Sequence, residues 1–197
     1  RTALNGEQSL PALTRAGTAH LCFESIHPFE DGNGRIGPAL AEKALVQSLG
    51  RPSLSVLAAT ILDQRKSYYE ALEAANKSNE NSDWLVWFAN IALAAQQRTT
   101  TLVEFLIQKA QLLDRWRGHL NPRQEKAVLR MLREGPDGFA GGLSASNYAT
   151  ITDASPATAT RDLADLVEKS VLIRSGELKG TRYQLALPER SASPKPR

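Results

Sequence analysis

Residues 27–35 read His-Pro-Phe-Glu-Asp-Gly-Asn-Gly-Arg, and most of the chemistry this chain could perform is concentrated there. Imidazole as a class takes protons near neutral pH, so His27 is a candidate general base for an attacking hydroxyl. Asp31 offers the hard oxygen that Mg²⁺ takes beside phosphate oxygens. Arg35 can neutralise phosphate charge. Between them, Gly32-Asn33-Gly34 is turn chemistry that lets backbone approach a ligand closely. A helix starting at Asn33 would leave its first N–H groups without intrahelical partners and add the positive end of its dipole, which makes a phosphate cradle. The pattern Gly-x-x-x-x-Gly-Lys is absent, so this cradle is not a P-loop. Together these groups point to a phosphoryl-type transfer.

Two helices must hold such a turn. Leu10, Leu13, Gly17, Leu21 and Glu24 fall at helical spacing, which predicts a helix over 9–25. Pro28 disfavours the helical region for His27 and breaks that helix. A second helix runs from Asn33 to Leu49, with Ile36, Leu40 and Ala44 inward, and Gly50-Arg51-Pro52 stops it. Further helices are expected over 54–62 and 63–77. From Asp83 to His119 there is no breaker, so one long helix or two in close succession is expected, with Ser82 or Asp83 as N-cap. Cys22, one step from the apolar stripe, reads as a buried small hydrophobe. Tyr68, Trp84, Trp87 and Phe88 read as packing residues. Glu30 reads as solvent-facing, and His20 and His119 as structural.

The segment resembles the Fic family, whose motif is His-x-Phe-x-(Asp/Glu)-Gly-Asn-Gly-Arg-x-x-Arg; His27, Phe29, Asp31, Gly32, Asn33, Gly34 and Arg35 match it. The resemblance extends more weakly to residue 119 through Tyr68-Tyr69, Leu72, Asn76 and Trp84-x-x-Trp87-Phe88. It implies an all-α core that transfers AMP from ATP to a hydroxyl of a target protein. It implies His27 as general base, Asp31 as the Mg²⁺ ligand, Gly32, Asn33, Gly34 and Arg35 on the phosphates, and Tyr69 and Asn76 on the adenine side. Doc-like relatives that phosphorylate instead carry Lys where this chain has Gly34. The chain departs at the last motif position, where Pro38 replaces the arginine that contacts the outer phosphate of ATP. An arginine at 38 would lie on the face of Gly34 and could reach back over the cradle. No Ser/Thr-x-x-x-Glu-Gly/Asn inhibitory motif occurs. Relatives place a target-docking hairpin upstream of the first helix; 26 residues precede His27 and the chain opens on Arg1, so a truncated core is expected.

Asn121-Pro122 marks the expected boundary between a core over 1–119 and a second domain over 120–188. Arg123, Lys126, Arg130 and Arg133 share one face of a helix over 122–134, read as a solvated face. A short helix follows at Ser144–Thr150, then a helix with Ser155 as N-cap and Pro156 at its first position. Two strands, over 171–174 and 182–185, close the order helix, helix, helix, hairpin, which is that of a winged helix-turn-helix. The fold class expected is therefore mainly α: a Fic-type helical bundle followed by a small winged helix-turn-helix (α+β) domain. Thr158, Thr160 and Arg161, with Lys179 and Arg182 of the hairpin, would face a nucleic acid. Nine Lys/Arg against eight Asp/Glu over 120–187 is a faint basic footprint, so any DNA binding there should be weak. The Pro/Ser-rich tail, 189–197, is expected to be disordered.

A formal net charge of +3 over 197 residues implies no membrane or nucleic-acid partner by itself. The single cysteine excludes an internal disulfide and fits a cytoplasmic protein. No apolar run is long enough to span a bilayer. The expected partners are ATP and a target protein. The competing reading is a degenerate Fic core whose winged helix acts as a DNA- or protein-binding regulator.

Overall fold

The computed structural model describes residues 10–50, 56–77 and 80–187. Among them are eight α-helices and one two-stranded sheet: α1 Ala12–Ile26, α2 Asn33–Leu49, α3 Leu57–Asp63, α4 Arg65–Asn76, α5 Ser82–Arg115, α6 Pro122–Leu132, α7 Ala145–Thr152, α8 Pro156–Glu168, β1 Leu172–Ser175 and β2 Arg182–Leu185. The chain is mainly helical, and its elements follow the order the sequence predicts. The tail beyond Leu187 and residues 51–55 lie outside the described residues. The chain divides into two compact units, 1–100 and 101–197. The second unit thus begins inside α5, upstream of the expected break at Asn121-Pro122, because Phe105 and Leu112 of α5 are buried in the second core.

In the first unit α1 and α2 form a helical hairpin that lies side by side along much of its length. Small residues allow that approach. Ala16, Ala41 and Ala44 are fully buried. A Cβ on Gly17 would meet the Phe88 ring at 3.0 Å, and one on Gly37 would meet Glu24 Oε1 at 2.2 Å. Large side chains fill the rest of the core: Leu57, Ile61, Tyr68, Leu72, Trp84, Phe88 and Ile91. The Trp84 indole N–H donates to the Gly17 carbonyl at 2.8 Å, so the close helix pair is also pinned from α5. Cys22 departs from its expected burial and is exposed, because the buried set of α1 ends with His20 and Leu21 and the next position turns outward.

Within the second unit, α6 starts with a capping box. Asn121 accepts from the Gln124 N–H while the Gln124 side chain accepts from the Asn121 N–H, and Pro122 sits where no helical N–H is needed. Ser144 and Ser155 cap α7 and α8 as their sequence predicts. β1 and β2 pair antiparallel, Leu172 with Leu185 through Ser175 with Arg182, and Leu143 bridges to Tyr183. The helix over 122–134 is two residues shorter than expected, ending at Leu132. Arg123 is not simply solvated, as expected of its helix face. It makes a two-point pair with Asp162 (2.8 and 3.2 Å), which Tyr148 and Asn121 also reach. These donors hold the largely buried Asp162 carboxyl below its ordinary range, against the upward push of burial itself.

Candidate functional site

The connection between α1 and α2 carries the motif, and its geometry begins at His27. This residue is the C-cap of α1, with φ 48° and ψ 58°, and its N–H donates to the Phe23 carbonyl at 2.9 Å. A left-handed conformation is uncommon for a residue with a Cβ, though histidine is enriched among the exceptions. Pro28 disfavours the right-handed region at His27 and so ends α1, and the left-handed conformation is that of a C-cap whose N–H closes the last turn. The imidazole is exposed at the start of the loop.

At the other end Gly32 is the N-cap of α2, with φ 94°, a value glycine supplies without strain. Its carbonyl accepts from both Arg35 (3.0 Å) and Ile36 (3.1 Å). The N–H groups of Asn33 and Gly34, at the first two helical positions, have no intrahelical acceptor to reach. A Cβ on Gly34 would meet nothing within 4 Å, so the space over the helix start is open.

Asn33 spans the loop. The Phe29 N–H donates to Asn33 Oδ1 at 3.2 Å, and Asn33 Nδ2 donates back to the Phe29 carbonyl. The side chain is buried, with 3% exposure. Its amide is therefore spent on bracing the loop, and what Asn33 offers outward is its backbone N–H.

Asp31 and Arg35 face each other across one helical turn at 3.5 Å, both highly exposed, and Asp31 Oδ1 accepts from the Gly32 N–H at 2.7 Å. The described residues contain no group of three His, Cys, Asp or Glu able to hold a metal ion. One exposed carboxylate beside open helix N–H groups fits a cation that arrives with phosphates, as Mg²⁺ does when it keeps waters and takes one or two carboxylates.

The remaining expected site residues lie on α4. Asn76 is brought to the last turn of α1, where Ser25 Oγ donates to Asn76 Oδ1 at 2.7 Å. Tyr69 is 54% exposed, with the Arg65 guanidinium 5.6 Å from its ring centroid. Two turns separate Tyr69 from Asn76, so they share a helix face.

Sequence reasoning missed a polar cluster where α1, α4 and α5 of the first unit meet. His20 is fully buried, stacked on Trp84, with Nε2 3.1 Å from the Tyr68 hydroxyl. Burial lowers it to about 4, against an opposing contribution from the Gly37 backbone. Tyr68 is raised by burial and then by the nearby Glu24 charge. Glu24 is itself raised by burial, with His27 acting in the opposite sense. Only the aromatic run Tyr68, Trp84, Phe88 hinted at a pocket for His20.

Residues 2–45 match the Fic/DOC family model. The match spans α1, the motif loop and most of α2, under a quarter of the chain. It supports a Fic-type protein, and with it a transferase of that general kind. Pro38, the departure from the motif, is buried on the inner stripe of α2 with Gly37 and Ala41. An arginine at 38 would therefore start from the packed side of the helix and reach toward the cradle from there. No described helix is long and apolar enough to cross a membrane.

Proposed function

We propose that the chain transfers AMP from ATP to a hydroxyl side chain of a target protein. The carrying observation is the braced loop: Asn33 fixes it, Gly34 leaves open volume over the unpaired N–H groups of α2, and His27 stands exposed at its far end. The N–H groups of Asn33 and Gly34 and the guanidinium of Arg35 hold the phosphates, for which Arg35 would leave its pairing with Asp31. Asp31 would hold Mg²⁺, which when bound neutralises phosphate charge. Tyr69 and Asn76 would lie on the adenine side. The target hydroxyl attacks the α-phosphorus, its proton passes to His27, the bond to the β-phosphate oxygen breaks, and pyrophosphate leaves. The absence of lysine at Gly34 favours nucleotidyl over phosphoryl transfer.

The test is incubation with Mg²⁺ and ATP labelled at either the α- or the γ-phosphate, reading label on the chain and on lysate proteins. Label from the α position alone supports the reading. Label from the γ position alone, or from neither, refutes it.

A second reading rests on the second unit. Its element order fits a winged helix-turn-helix, and a groove lined by Ser144, Ser146, Thr160, Arg174 and Arg182 lies beside α8. In this reading the unit binds duplex DNA or a protein, and the Fic-type core serves as a regulator. Fluorescence anisotropy with duplex across a salt series separates the cases: DNA binding must weaken steeply with salt. A protein contact predicts no duplex binding at all.

A further inference from the structure

Charge in the second unit is almost balanced by count, but its ion pairs sort that charge unevenly. Asp162 pairs with Arg123, Asp153 with Lys126, Glu134 with Arg130 and Asp165 with Lys169. These four cations come from α6 and from the residue that caps the end of α8. Arg161 on α8 and Arg174 on β1 are exposed, and among the described residues neither enters an ion pair. Along α8 the residues Ala157, Thr160, Arg161 and Ala164 are exposed, while Asp162 is buried and Asp165 is engaged by Gln124 and Lys169. The first exposed carboxylate on the helix is Glu168, at its last position. The acids of α6 to α8 are thus largely spent in pairs, and the cations of α8 and the hairpin stand outward.

Beside α8 the chain builds a groove lined by Ser144, Ser146, Thr160, Arg174, Thr181 and Arg182, with no carboxylate in its lining. Leu143 and Tyr183 exchange both backbone hydrogen bonds, at 2.8 and 2.9 Å, which ties the start of α7 to β2. Gly142, at φ 81°, permits that approach, because a Cβ there would stand 2.9 Å from Arg182 Cβ. Arg182 is held further by Nη1 donating to the Thr181 carbonyl at 2.8 Å. Ser144 caps the Asn147 N–H, and the N–H groups of Ala145 and Ser146, at the first two positions of α7, have no intrahelical acceptor. The Thr160 hydroxyl donates to the Pro156 carbonyl, so Thr160 serves as wall. Two guanidiniums and a helix start that face no carboxylate fit a phosphate. Most of the lining is exposed, so a small anion would stay hydrated there. A polymer of phosphates gains from each further contact and from released counterions.

We infer that this surface binds the sugar–phosphate backbone of duplex DNA, with one phosphate seated in the groove on Arg174 and Arg182 and with Arg161 adding charge from α8. Contacts of this kind fix position without reading sequence. This deepens the second reading above, on which it rests, and is independent of AMP transfer.

The experiment measures fluorescence anisotropy of two labelled duplexes of unrelated sequence with parent, Arg174→Gln and Arg133→Gln across a salt series. Arg133, exposed at the end of α6, is a charge-matched control away from the groove. The parent is expected to bind both duplexes at low salt. Arg174→Gln should bind both roughly tenfold more weakly, with the salt slope shallower by about one, and Arg133→Gln should match the parent. Circular dichroism melts should be unchanged for both exposed substitutions. Duplex binding that Arg174→Gln weakens no more than Arg133→Gln overturns the groove and leaves the second reading standing. A loss confined to one sequence overturns the backbone contact in favour of base contact. A parent that binds neither duplex overturns the inference together with the DNA side of that reading. Calorimetry with inorganic phosphate supplies the last arm: phosphate binding that Arg174→Gln abolishes, without duplex binding, overturns DNA as the ligand in favour of a free anion.

Discussion

Replacing Asn33 by alanine tests whether that residue braces the loop or touches the ligand. In the structure its amide donates to the Phe29 carbonyl and accepts from the Phe29 N–H, and the side chain is 3% exposed. Alanine is the best helix former, so α2 itself loses nothing. Two hydrogen bonds are lost, each worth about 0.5–1.5 kcal/mol net. Both flank a loop that water can reach, so the freed Phe29 groups are partly rehydrated. The sum is about 1–3 kcal/mol, and for a unit of this size each kcal/mol lowers Tm by about 4–8 °C. Circular dichroism melts of parent and variant should show that loss, and calorimetry should show ATP affinity falling with it, because an unbraced loop no longer presents its N–H groups. Asn33→Asp keeps the acceptor for the Phe29 N–H but not the donor, and should fall between. A variant as stable as the parent that has lost ATP binding would refute the bracing argument and put the Asn33 side chain on the nucleotide.

His27→Ala should abolish AMP transfer, a loss of roughly 10²–10⁴-fold, while calorimetry shows ATP binding retained; unchanged labelling would remove His27 from the mechanism. Asp31→Ala should erase most of the Mg²⁺ dependence of ATP binding, and equal dependence in variant and parent would count against its role. His20 is neutral and buried with a lowered folded-state value near 4, against 6.5 unfolded, so the stability it contributes is present above pH 6.5 and lost as pH falls toward 4. The loss is about 3 kcal/mol, readable as a flatter pH–stability curve in His20→Gln, and parallel curves would contradict it. Pro38→Arg gives α2 back an N–H but places a long charged stem on its packed stripe, at about 1–3 kcal/mol of stability. A rise in transfer despite that cost would mean the arginine still reaches the outer phosphate from a buried start.

Much of this was legible in the chain because local rules and tertiary packing agree. Ser144, Ser155 and Asn121 are caps by residue type and caps in space. Gly50 and Pro28 end helices where their backbone preferences require it. What periodicity could not give is the direction of side chains at the edge of a stripe. Cys22 and Pro38 each lie one position from an inward residue, and they went opposite ways, Cys22 outward and Pro38 inward. Nor does a linear pattern show which polar groups meet across helices. Arg123 and Asp162 are far apart in sequence, as are His20 and Tyr68, and only the packed core makes them partners. The chemical role of Asn33 was read from its neighbours in the motif, whereas its hydrogen bonds turn inward to Phe29.

The left-handed backbone at His27 would set folding against the proposed transfer at a single position. An L-residue held there costs about 1–2 kcal/mol relative to the right-handed alternative, and glycine or asparagine would carry much less of that strain. A search for thermostable variants that scores only folding should therefore converge on His27→Gly, gaining stability by discarding the imidazole. Engineering of this chain for robustness that aims to keep the proposed transfer has to hold residue 27 fixed and seek its gains elsewhere, since the most favourable substitution for the fold at that turn is also the one that removes the proposed base.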